Sequence, residues 1–523
     1  MADSRQPQLI PSTRACGMGE LIDEAKRYAA ADPAILDMID ADLAAHALRA
    51  KEWRQADAQW IAEHTPSFPE EKSWQAQSQR PPKLDKGGRK RTPSIIILFA
   101  LFIRGRYESL TDAMTRDRLI DSSAFHAQFD EHEIETVCPT VLARHLNNLT
   151  EATVNRLADT QITCYREEKL DDFATFMADS TSVRANSEWP KDSRVILKLL
   201  RRAVNSLSGF EKNSWCKVRW YNMKKWLQQI EVFAREIDFT CGKRNGAKKR
   251  RKLYRKLLNL ADTLTDRLGD EWDRVSDAVN AISLCPSQDE LRWQATEALE
   301  TTLINAVLLI PYVSVRTQIN SQEKREEYEQ VLSVNDIEAE IIRKGGREPN
   351  FGYKPQLAAS RQGFITAAIV EVGNVSDARS MIPLLDETIR RCAVTPSLGT
   401  VDDGYSGAEN WRQATKRGLK TVSMKGATGK GVIDKIDPAL WERDDYREGR
   451  RLRGLMESPI FVLKQMNGLA RMRRTGVDAV RREITEKIIA YNAVRAVQLR
   501  KRAAAVARKL LLLPKEPSLR ASA

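Results

Sequence analysis

Acidic residues stand at the ends of two predicted strands in this sequence of 523 residues. Asp179 closes the apolar segment FATFMADSTSV, and Asp402 and Asp403 follow SLGTV and precede Gly404. Side chains at the carboxyl end of a strand project into the crevice at the sheet edge, where the sites of α/β proteins usually form. The sequence therefore predicts a carboxylate site, with either Asp402 or Asp403 as its second member.

A third carboxylate is predicted on a long basic helix that begins near Arg447. With about 100° of rotation per residue, Arg453, Glu457 and Lys464 fall on one face of that helix. Hard cations prefer oxygen ligands, so three carboxylates with a lysine and an arginine suit two Mg²⁺ ions bound to a phosphodiester. Pro459 lacks an amide hydrogen, which predicts a kink just after Glu457.

Each of these elements, taken alone, has a simpler interpretation. The chain carries 71 Asp and Glu, so a single acidic residue is more often a helix cap or a surface charge. Asp377 in GNVSD either lies near the site or caps a helix that begins at Ala378, and capping is the preferred interpretation. Lys354 either contacts a phosphate or is exposed. The order strand-Asp, strand-Asp, helix-Glu is the more specific evidence.

The composition excludes some classes of reaction and favours one kind of partner. All five histidines lie in the first 145 residues, which excludes Ser-His-Asp hydrolases and zincins from the rest of the chain. Seven scattered cysteines without C-x-x-C indicate neither a disulfide framework nor a zinc ribbon. The formal charge of +13 favours a polyanionic partner; a merely basic protein is the alternative. We expect no transmembrane helix and no secretory signal, and therefore a cytoplasmic protein.

Changes in hydrophobic period divide the chain into five predicted parts. These are a helical segment with a basic Pro/Gly linker at 1–92, a helical domain at 93–168, a mixed α+β or α/β core at 169–190 and 316–492, an all-helical basic insert at 191–315, and a basic tail at 493–523. The segments SVNDIEAEIIRKGG, NFGYKPQLAAS and GFITAAIVEVGN predict an antiparallel meander of three strands in the core.

Helical hairpins are predicted in the 93–168 domain. The run SIIILFALFIRG predicts a buried helix that ends in a turn at Gly105, and Thr150 is placed to cap a later helix. Such hairpins bind DNA in helix-turn-helix proteins, but they are more often only packing units. The candidate DNA contacts of this domain are Arg144, Asn155 and Arg156.

Positive charge is concentrated in residues 191–256, which hold 20 Lys and Arg against 5 Asp and Glu. Such a cluster favours a nucleic acid as partner. The candidate DNA-binding residues of the cluster are Lys243, Arg244, Lys248, Lys249, Arg250, Arg251 and Lys252. Four aromatic residues, Trp215, Trp220, Tyr221 and Trp226, alternate with basic ones and either stack on bases or form a helix core.

Five motifs of this chain, taken in order, resemble prokaryotic insertion-sequence transposases of the DDE superfamily, with the ISNCY-like branch closest. The motifs are MADSTSVRANSEWPKDS, FGYKPQLAASRQGFI, VGNVSD, TVDDGYSG and R-x3-E-x6-K. The similarity extends from about residue 89 to 495 and is weakest at 194–315. The signature tyrosine, three positions before the arginine in the family, is here Arg450, and Tyr446 lies one turn earlier.

The resemblance implies an RNase H-like catalytic core in which Asp179, Asp402 and Glu457 are the catalytic carboxylates and the ligands of two Mg²⁺ (or Mn²⁺) ions. It implies that Arg453 and Lys464 contact transposon-end DNA. It further implies metal-dependent cleavage at the transposon ends and strand transfer into target DNA, by a homodimer or higher oligomer bound to double-stranded DNA.

Two alternatives share these motifs. One is an RNase H-like metal-dependent nuclease without strand transfer, and the other is a catalytically inactive DNA-binding derivative. The second alternative predicts that the three carboxylates do not converge, since two ions about 4 Å apart need shared ligands.

Overall fold

The structure is a computed structural model that describes residues 16–64, 92–107, 111–187, 191–240, 246–317, 333–334, 336–343 and 348–511. Most of the predicted linker, together with Lys243 and Arg244, lies outside these ranges. The chain forms two compact units. The composite unit consists of residues 1–46, 87–186 and 340–523, and the insert unit consists of residues 47–86 and 187–339.

Helices make up most of the described chain. Those before the first strand are α1 (Met18–Ala31), α2 (Ala34–His64), α3 (Ser94–Arg106), α4 (Asp112–Ile120), α5 (Ser123–His126), α6 (Glu131–Glu135), α7 (Pro139–Asn148) and α8 (Glu151–Glu167). The helices of the insert unit are α9 (Asp192–Lys212), α10 (Met223–Phe239), α11 (Gly246–Asn280) and α12 (Pro286–Arg316). The later helices of the composite unit are α13 (Asp377–Cys392), α14 (Ala408–Lys416), α15 (Ala427–Ile436), α16 (Asp444–Leu452), α17 (Glu457–Gln465) and α18 (Val477–Leu511).

The strands belong to two sheets of the composite unit. They are β1 (Thr175–Ser180), β2 (Val183–Arg184), β3 (Glu340–Ile342), β4 (Asn350–Tyr353), β5 (Gln356–Ala359), β6 (Ile365–Ile369), β7 (Leu398–Val401) and β8 (Thr421–Met424). The main sheet has the order β6-β5-β1-β7-β8, and the small antiparallel sheet has the order β2-β4-β3. In the main sheet β1, β7 and β8 are parallel, whereas β5 is antiparallel to both β1 and β6. A helix-rich fold with a mixed sheet agrees with the predicted α+β or α/β class.

The central strands are buried along almost their whole length, and this explains their apolar sequences. Every residue of β1 and β8 is buried. Helix α13 packs on β1, β5 and β6, and α16 packs on β7 and β8. Buried side chains such as Phe176 and Val401 of the strands and Met381 and Leu384 of α13 form one core. Strands that are covered in this way read as short continuous apolar runs rather than as alternating patterns.

The predicted three-strand meander is wrong in one respect: NFGYKPQLAAS contains two strands in different sheets. β4 pairs with β2 and β3, whereas β5 pairs with β1 and β6. Pro355 separates them because it has no amide hydrogen to donate to a ladder, and its carbonyl accepts a hydrogen bond of 3.0 Å from the amide of Thr181. The change of sheet brings Gln356 into register with Ser180, next to Asp179.

Helix α3 packs closely against α18 at Gly105. The sequence predicts a turn at this glycine, but the helix continues to Arg106. A Cβ atom at Gly105 would lie 2.6 Å from the backbone oxygen of Glu486, so the two helix backbones approach too closely for a side chain. The neighbouring Arg104 forms a buried ion pair of 2.8 Å with Glu486. The predicted cap of α8 is confirmed, since the Thr150 hydroxyl accepts a hydrogen bond of 3.3 Å from the amide of Thr153.

The insert unit has its own helical core, to which the predicted amphipathic helix contributes. Helix α11 buries residues at intervals of three or four, among them Leu257, Leu264 and Leu268. Trp215 is buried, and the Trp220 indole donates a hydrogen bond of 2.8 Å to Glu211. These two tryptophans therefore contribute to the packing of the insert unit.

Helix α12 is long and apolar enough to cross a membrane by length and composition alone. Its most apolar window is 44% buried, and residues such as Leu299, Leu309 and Val313 pack in the core of the insert unit. The core helix of a water-soluble unit has these same properties, so α12 is weak evidence for a membrane span.

The close approach of α3 and α18 predicts that Gly105→Ala lowers the thermal unfolding midpoint, since overpacking costs about 1–3 kcal/mol when backbones have to shift. Gly431→Ala is the matched control. Gly431 lies inside α15, where an added methyl group would meet no described heavy atom within 4 Å beyond its own helix backbone, and alanine favours a helix interior. Thermal unfolding followed by circular dichroism measures both. Equal midpoints for Gly105→Ala and the wild type would contradict the close packing.

Candidate active site

The three predicted carboxylates converge on the guanidinium of Arg453. Its Nη2 atom lies 3.0 Å from Oδ2 of Asp179 and 3.2 Å from Oδ2 of Asp402. Its Nη1 atom lies 3.4 Å from Oε1 of Glu457. The two aspartate oxygens contact the same nitrogen atom, so the distance between them is at most the sum of their distances to that nitrogen. Carboxylates from distant parts of the sequence thus meet at one point.

The main sheet positions the two aspartates. Asp179 is the penultimate residue of β1, and Asp402 directly follows β7. In the parallel pair of these strands, Ala178 is in register with Val401. The residues that follow both therefore lie at the same sheet edge. The backbone amide of Ser180 donates a hydrogen bond of 2.7 Å to Oδ1 of Asp179, which fixes the orientation of that carboxylate.

Arg453 and Glu457 lie on a segment whose helix is interrupted. The sequence predicts one helix from about Arg447 with a kink just after Glu457, and this prediction is wrong. Helix α16 ends at Leu452, a 3₁₀ segment covers Arg453–Met456, and α17 begins at Glu457. Pro459 is the third residue of α17, where the amides have no intrahelical acceptor, so a proline is tolerated at this position.

Exposure differs strongly among the four side chains. The side chain of Arg453 is 6% exposed and that of Asp179 is 12%, whereas Asp402 is 44% and Glu457 is 72% exposed. The Nε atom of Arg453 is buried without a hydrogen-bond partner among the described residues. The site is therefore closed at Asp179 and open to solvent at Asp402 and Glu457. Arg453, which the resemblance assigns to transposon-end DNA, contacts the three carboxylates.

Asp402 and Asp403 have different partners, and this favours Asp402 as the second carboxylate. Oδ1 of Asp403 accepts a hydrogen bond of 2.9 Å from the amide of Gly429, and Oδ2 accepts one of 3.1 Å from the Thr428 hydroxyl. Both donors lie in the first turn of α15, where the amides have no intrahelical acceptor. Asp403 thus accepts hydrogen bonds from the first turn of α15, whereas Asp402 contacts Arg453.

Asp377 lies beside the site and is not the helix cap that the sequence predicts. Helix α13 begins at Asp377 itself, and Ser376 precedes it. Oδ1 of Asp377 accepts a hydrogen bond of 2.9 Å from Nε2 of Gln356 and forms an ion pair of 2.9 Å with Lys354. Lys354 is therefore mostly buried in a protein contact. Gln356 is a further residue of the site that the sequence did not predict, and the proline before it, at the change of sheet, is the signal that could have found it.

The remaining predicted contacts have varied positions. Lys464 is half-buried on α17. Arg156 forms an ion pair with Asp32, and Asn155 accepts a hydrogen bond of 3.4 Å from Arg391. These two residues therefore make packing contacts in the composite unit.

All-oxygen donor sets suit hard cations such as Mg²⁺, so the chemistry of the three side chains fits the implied metal. Within the described ranges, no group of three or more His, Cys, Asp or Glu is arranged to hold a metal ion. The contacts above give the reason, since the guanidinium of Arg453 stands between the carboxylate oxygens. Arg453 supplies the positive charge among these three carboxylates.

Comparison with known proteins gives one match. Residues 331–493 match the model of a family described as the transposase DDE domain. The matched range is less than half of the chain, and it includes Asp402, Arg453 and Glu457 but not Asp179. Searches of curated proteins and of solved structures found no match. The family match supports a DDE transposase, which is an enzyme that acts on DNA.

The buried pairing predicts that Arg453→Gln destabilises the composite unit by about 3–5 kcal/mol, because it leaves the Asp179 carboxylate buried without its cation. Mg²⁺ should raise the unfolding midpoint of this variant more than that of the wild type, since a divalent cation can replace the lost charge. Thermal unfolding with and without Mg²⁺ measures both effects.

Arg447→Gln is the control for this prediction. It removes a solvent-exposed ion pair between Arg447 of α16 and Glu442, and exposed pairs contribute little to stability. If Arg453→Gln unfolds at the wild-type midpoint, as we expect of the control, the guanidinium does not hold the site together.

Proposed function

We propose that this protein is a DDE-type transposase that cleaves DNA at transposon ends and joins the ends to target DNA. The convergence of Asp179, Asp402 and Glu457 at one sheet edge carries the proposal, together with the family match that covers two of these residues. The sheet order β6-β5-β1-β7-β8, with a parallel half and an antiparallel half, supports an RNase H-like core. The ISNCY-like branch and a prokaryotic source are part of the proposal.

The three carboxylates would hold Mg²⁺ or Mn²⁺. Bound there, two such ions would activate a water or a 3′-hydroxyl as nucleophile and stabilise the leaving oxygen of the phosphodiester. The protein itself contributes the orientation of Asp179, through the Ser180 amide, and the open side at Asp402 and Glu457, through which DNA can approach.

Arg453 has two successive roles in this proposal. Before DNA binds, its guanidinium offsets the repulsion among the three carboxylates, of which Asp179 is the one shielded from solvent. With that charge supplied by bound cations, the Arg453 guanidinium would be free to bind a phosphate of the transposon end in a bidentate manner, for which its planar fork is suited. The resemblance assigns this DNA contact to Arg453 and a second one to Lys464.

The first turns of α11 are the proposed main DNA-binding surface of the insert unit. Lys248, Lys249, Arg251 and Lys252 are exposed, whereas Leu253 and Leu257 on the other face are buried. A helix face of this kind binds phosphates without sequence specificity. Arg250, which is half-buried, and Lys243 and Arg244 belong to the same proposed set.

Tyr221 is the aromatic residue that we propose for base stacking. Its side chain is 74% exposed, and its backbone adopts a φ of 37°, which is unusual for a bulky residue. The neighbouring Trp220 lies under the ammonium of Lys224, 3.9 Å from the ring centroid. An exposed ring beside basic side chains is the arrangement of single-strand binding surfaces.

We expect a homodimer or higher oligomer on DNA, because one reaction must hold two transposon ends together. A metal-dependent nuclease with the same core would cut but not join. Incubating pre-cut ends that carry a free 3′-hydroxyl with a supercoiled plasmid separates the two functions, since only a transposase links the end to the plasmid.

Cleavage of a labelled duplex that carries the element's end, with Mg²⁺ or Mn²⁺, tests the carboxylates. Asp179→Asn, Asp402→Asn and Glu457→Gln should each lower the cleavage rate more than about 100-fold, since changes that merely disturb the support of a metal ligand cost 10- to 100-fold. Gel-shift binding of the same duplex should persist in all three variants.

Asp403→Asn is the matched control for Asp402→Asn. Because Asp403 bonds to the first turn of α15, its variant should retain cleavage within about 10-fold of the wild type. If Asp403→Asn abolishes cleavage and Asp402→Asn does not, the second carboxylate is Asp403. A wild-type protein that binds the duplex but never cuts it with either metal would favour the inactive DNA-binding derivative.

The salt dependence of DNA affinity tests the surface on α11. Replacing Lys248, Lys249 and Lys252 together by Gln should reduce the slope of log Kobs against log[salt] by roughly 2–3, since each phosphate contact contributes about 0.9. Fluorescence anisotropy between about 50 and 200 mM salt measures the slope. The charge-preserving Lys→Arg triple variant should keep it, and an unchanged slope in the Gln variant would exclude this surface.

A further inference from the structure

A buried polar network connects the strand end that carries Asp179 with the turn that carries Asp402. Asp377 is its centre, where it binds Gln356 and Lys354. The Tyr405 hydroxyl donates a hydrogen bond to Oε1 of Gln356. Gln356 of β5 is paired with Ser180 of β1. Each of these contacts joins a different segment of the site.

The Ser180 hydroxyl closes this network from the β1 side. It lies beside Asp377 and Tyr405, and its interaction with each of them acts to lower the pKa of that group. Ser180 is also the residue whose backbone amide orients the Asp179 carboxylate. The side chain and the backbone of Ser180 therefore link Asp377 directly to the first catalytic carboxylate of the proposed site.

The turn Asp402–Tyr405 rests on Asp377 at Gly404. A Cβ atom at Gly404 would lie 2.8 Å from Oδ2 and 3.4 Å from Cβ of Asp377, so any larger residue would force the Asp377 carboxylate to shift. Asn410 makes a second connection, because its amide nitrogen donates to the carbonyls of Ala378 at 2.7 Å and of Tyr405 at 2.9 Å. The start of α13 and the turn are thus held together at two points.

The charge state of the network fits a supporting role. Burial alone would raise the pKa of Asp377, but hydrogen bonds from Gln356 and Lys354 and the lysine charge lower it below its ordinary value. Burial, together with nearby Asp377 and Asp179, raises the pKa of Tyr405, so its hydroxyl keeps the proton that it donates. Because Lys354 neutralises Asp377, this carboxylate is poorly suited to bind a cation and well suited to orient its neighbours.

We propose that Asp377 is a positioning residue that holds the turn carrying Asp402 in place beside Asp179. This inference rests on the proposed transposase function. It also explains the glycine of the D-x-G-Y motif, since Gly404 is the surface against which the Asp377 carboxylate packs. Lys354 and Gln356 act with Asp377, because both contact its Oδ1 atom and so fix the orientation of the carboxylate.

Two measurements test the proposal: the rate of single-turnover cleavage at saturating DNA over a range of Mg²⁺ concentrations, and amide hydrogen exchange of residues 402–406. Asp377→Asn should lower the rate 10- to 100-fold at limiting Mg²⁺, as is typical when the support of a metal ligand is lost. DNA affinity should stay at the wild-type value. Exchange at 402–406 should become faster, while exchange in α10 of the insert unit should not change.

Gly404→Ala supplies an independent variant, because its methyl group would displace the Asp377 carboxylate. In the Asp377→Ala background the methyl group has room, so the effects of the two changes should not add in a double-mutant cycle. Tyr405→Phe removes a single hydroxyl and serves as the milder variant if Asp377→Asn does not fold. Asp386→Asn is the matched control, since Asp386 lies on the same helix and pairs with Arg417 at the surface.

The positioning role would be wrong if Asp377→Asn and Gly404→Ala had the cleavage rate, the metal dependence and the hydrogen exchange of the wild type. That outcome would leave the transposase proposal intact. Additive effects of Gly404→Ala and Asp377→Ala would also contradict the positioning role. If the wild type itself does not cleave, the proposed function fails, and the exchange of residues 402–406 still decides whether Asp377 holds the turn.

Discussion

Repulsion among three carboxylates at one edge of a sheet is the constraint on which this site depends. Two like charges about 4 Å apart repel by roughly 4 kcal/mol in a surface-like dielectric, so Asp179, Asp402 and Glu457 approach each other only with a cation between them. Arg453 is that cation, and its guanidinium contacts all three. The 3₁₀ segment between α16 and α17 brings this arginine to the sheet edge.

Around this charge cluster, each neighbouring polar group has a separate task. Asp403 satisfies the first turn of α15, and Asp377 binds Lys354 and Gln356. Neither of these acidic residues competes for Arg453. The division separates the acidic side chains that contact Arg453 from those that hold the surrounding backbone, although both kinds are close together in space.

The main features of the site could be predicted because they depend on local pattern and on one rule of sheet geometry. Asp179 and Asp402 each follow a short apolar strand, and parallel neighbours bring such residues to one edge. The helical spacing of Arg453 and Glu457 survives the 3₁₀ break, because the two residues remain in contact. The buried face of α11 and the Thr150 cap are equally local features and were equally predictable.

What could not be predicted depends on partners far away in the sequence. No residue near Asp403 in the sequence indicates that its carboxylate accepts a hydrogen bond from the start of α15. Similarly, no residue near Gly105 indicates that the backbone of Glu486 packs against it. The pairing of Arg453 with Asp179 spans 274 positions. In such cases the sequence shows a charged residue or a glycine, but its contacts depend on the tertiary structure.

The position of β1 in the sheet also has a consequence for biosynthesis. β1 ends at Ser180, and its neighbours β5 and β7 begin only at Gln356 and Leu398. At a translation rate of about 5–20 residues per second, the central strand leaves the ribosome roughly 10 s or more before a partner strand exists. The helices of the insert unit, α9–α12, are made during this delay and can fold through local contacts. The nascent chain therefore has to shield an unpaired apolar strand until its second half arrives, which makes β1 the segment where a chaperone that binds nascent chains would be needed most.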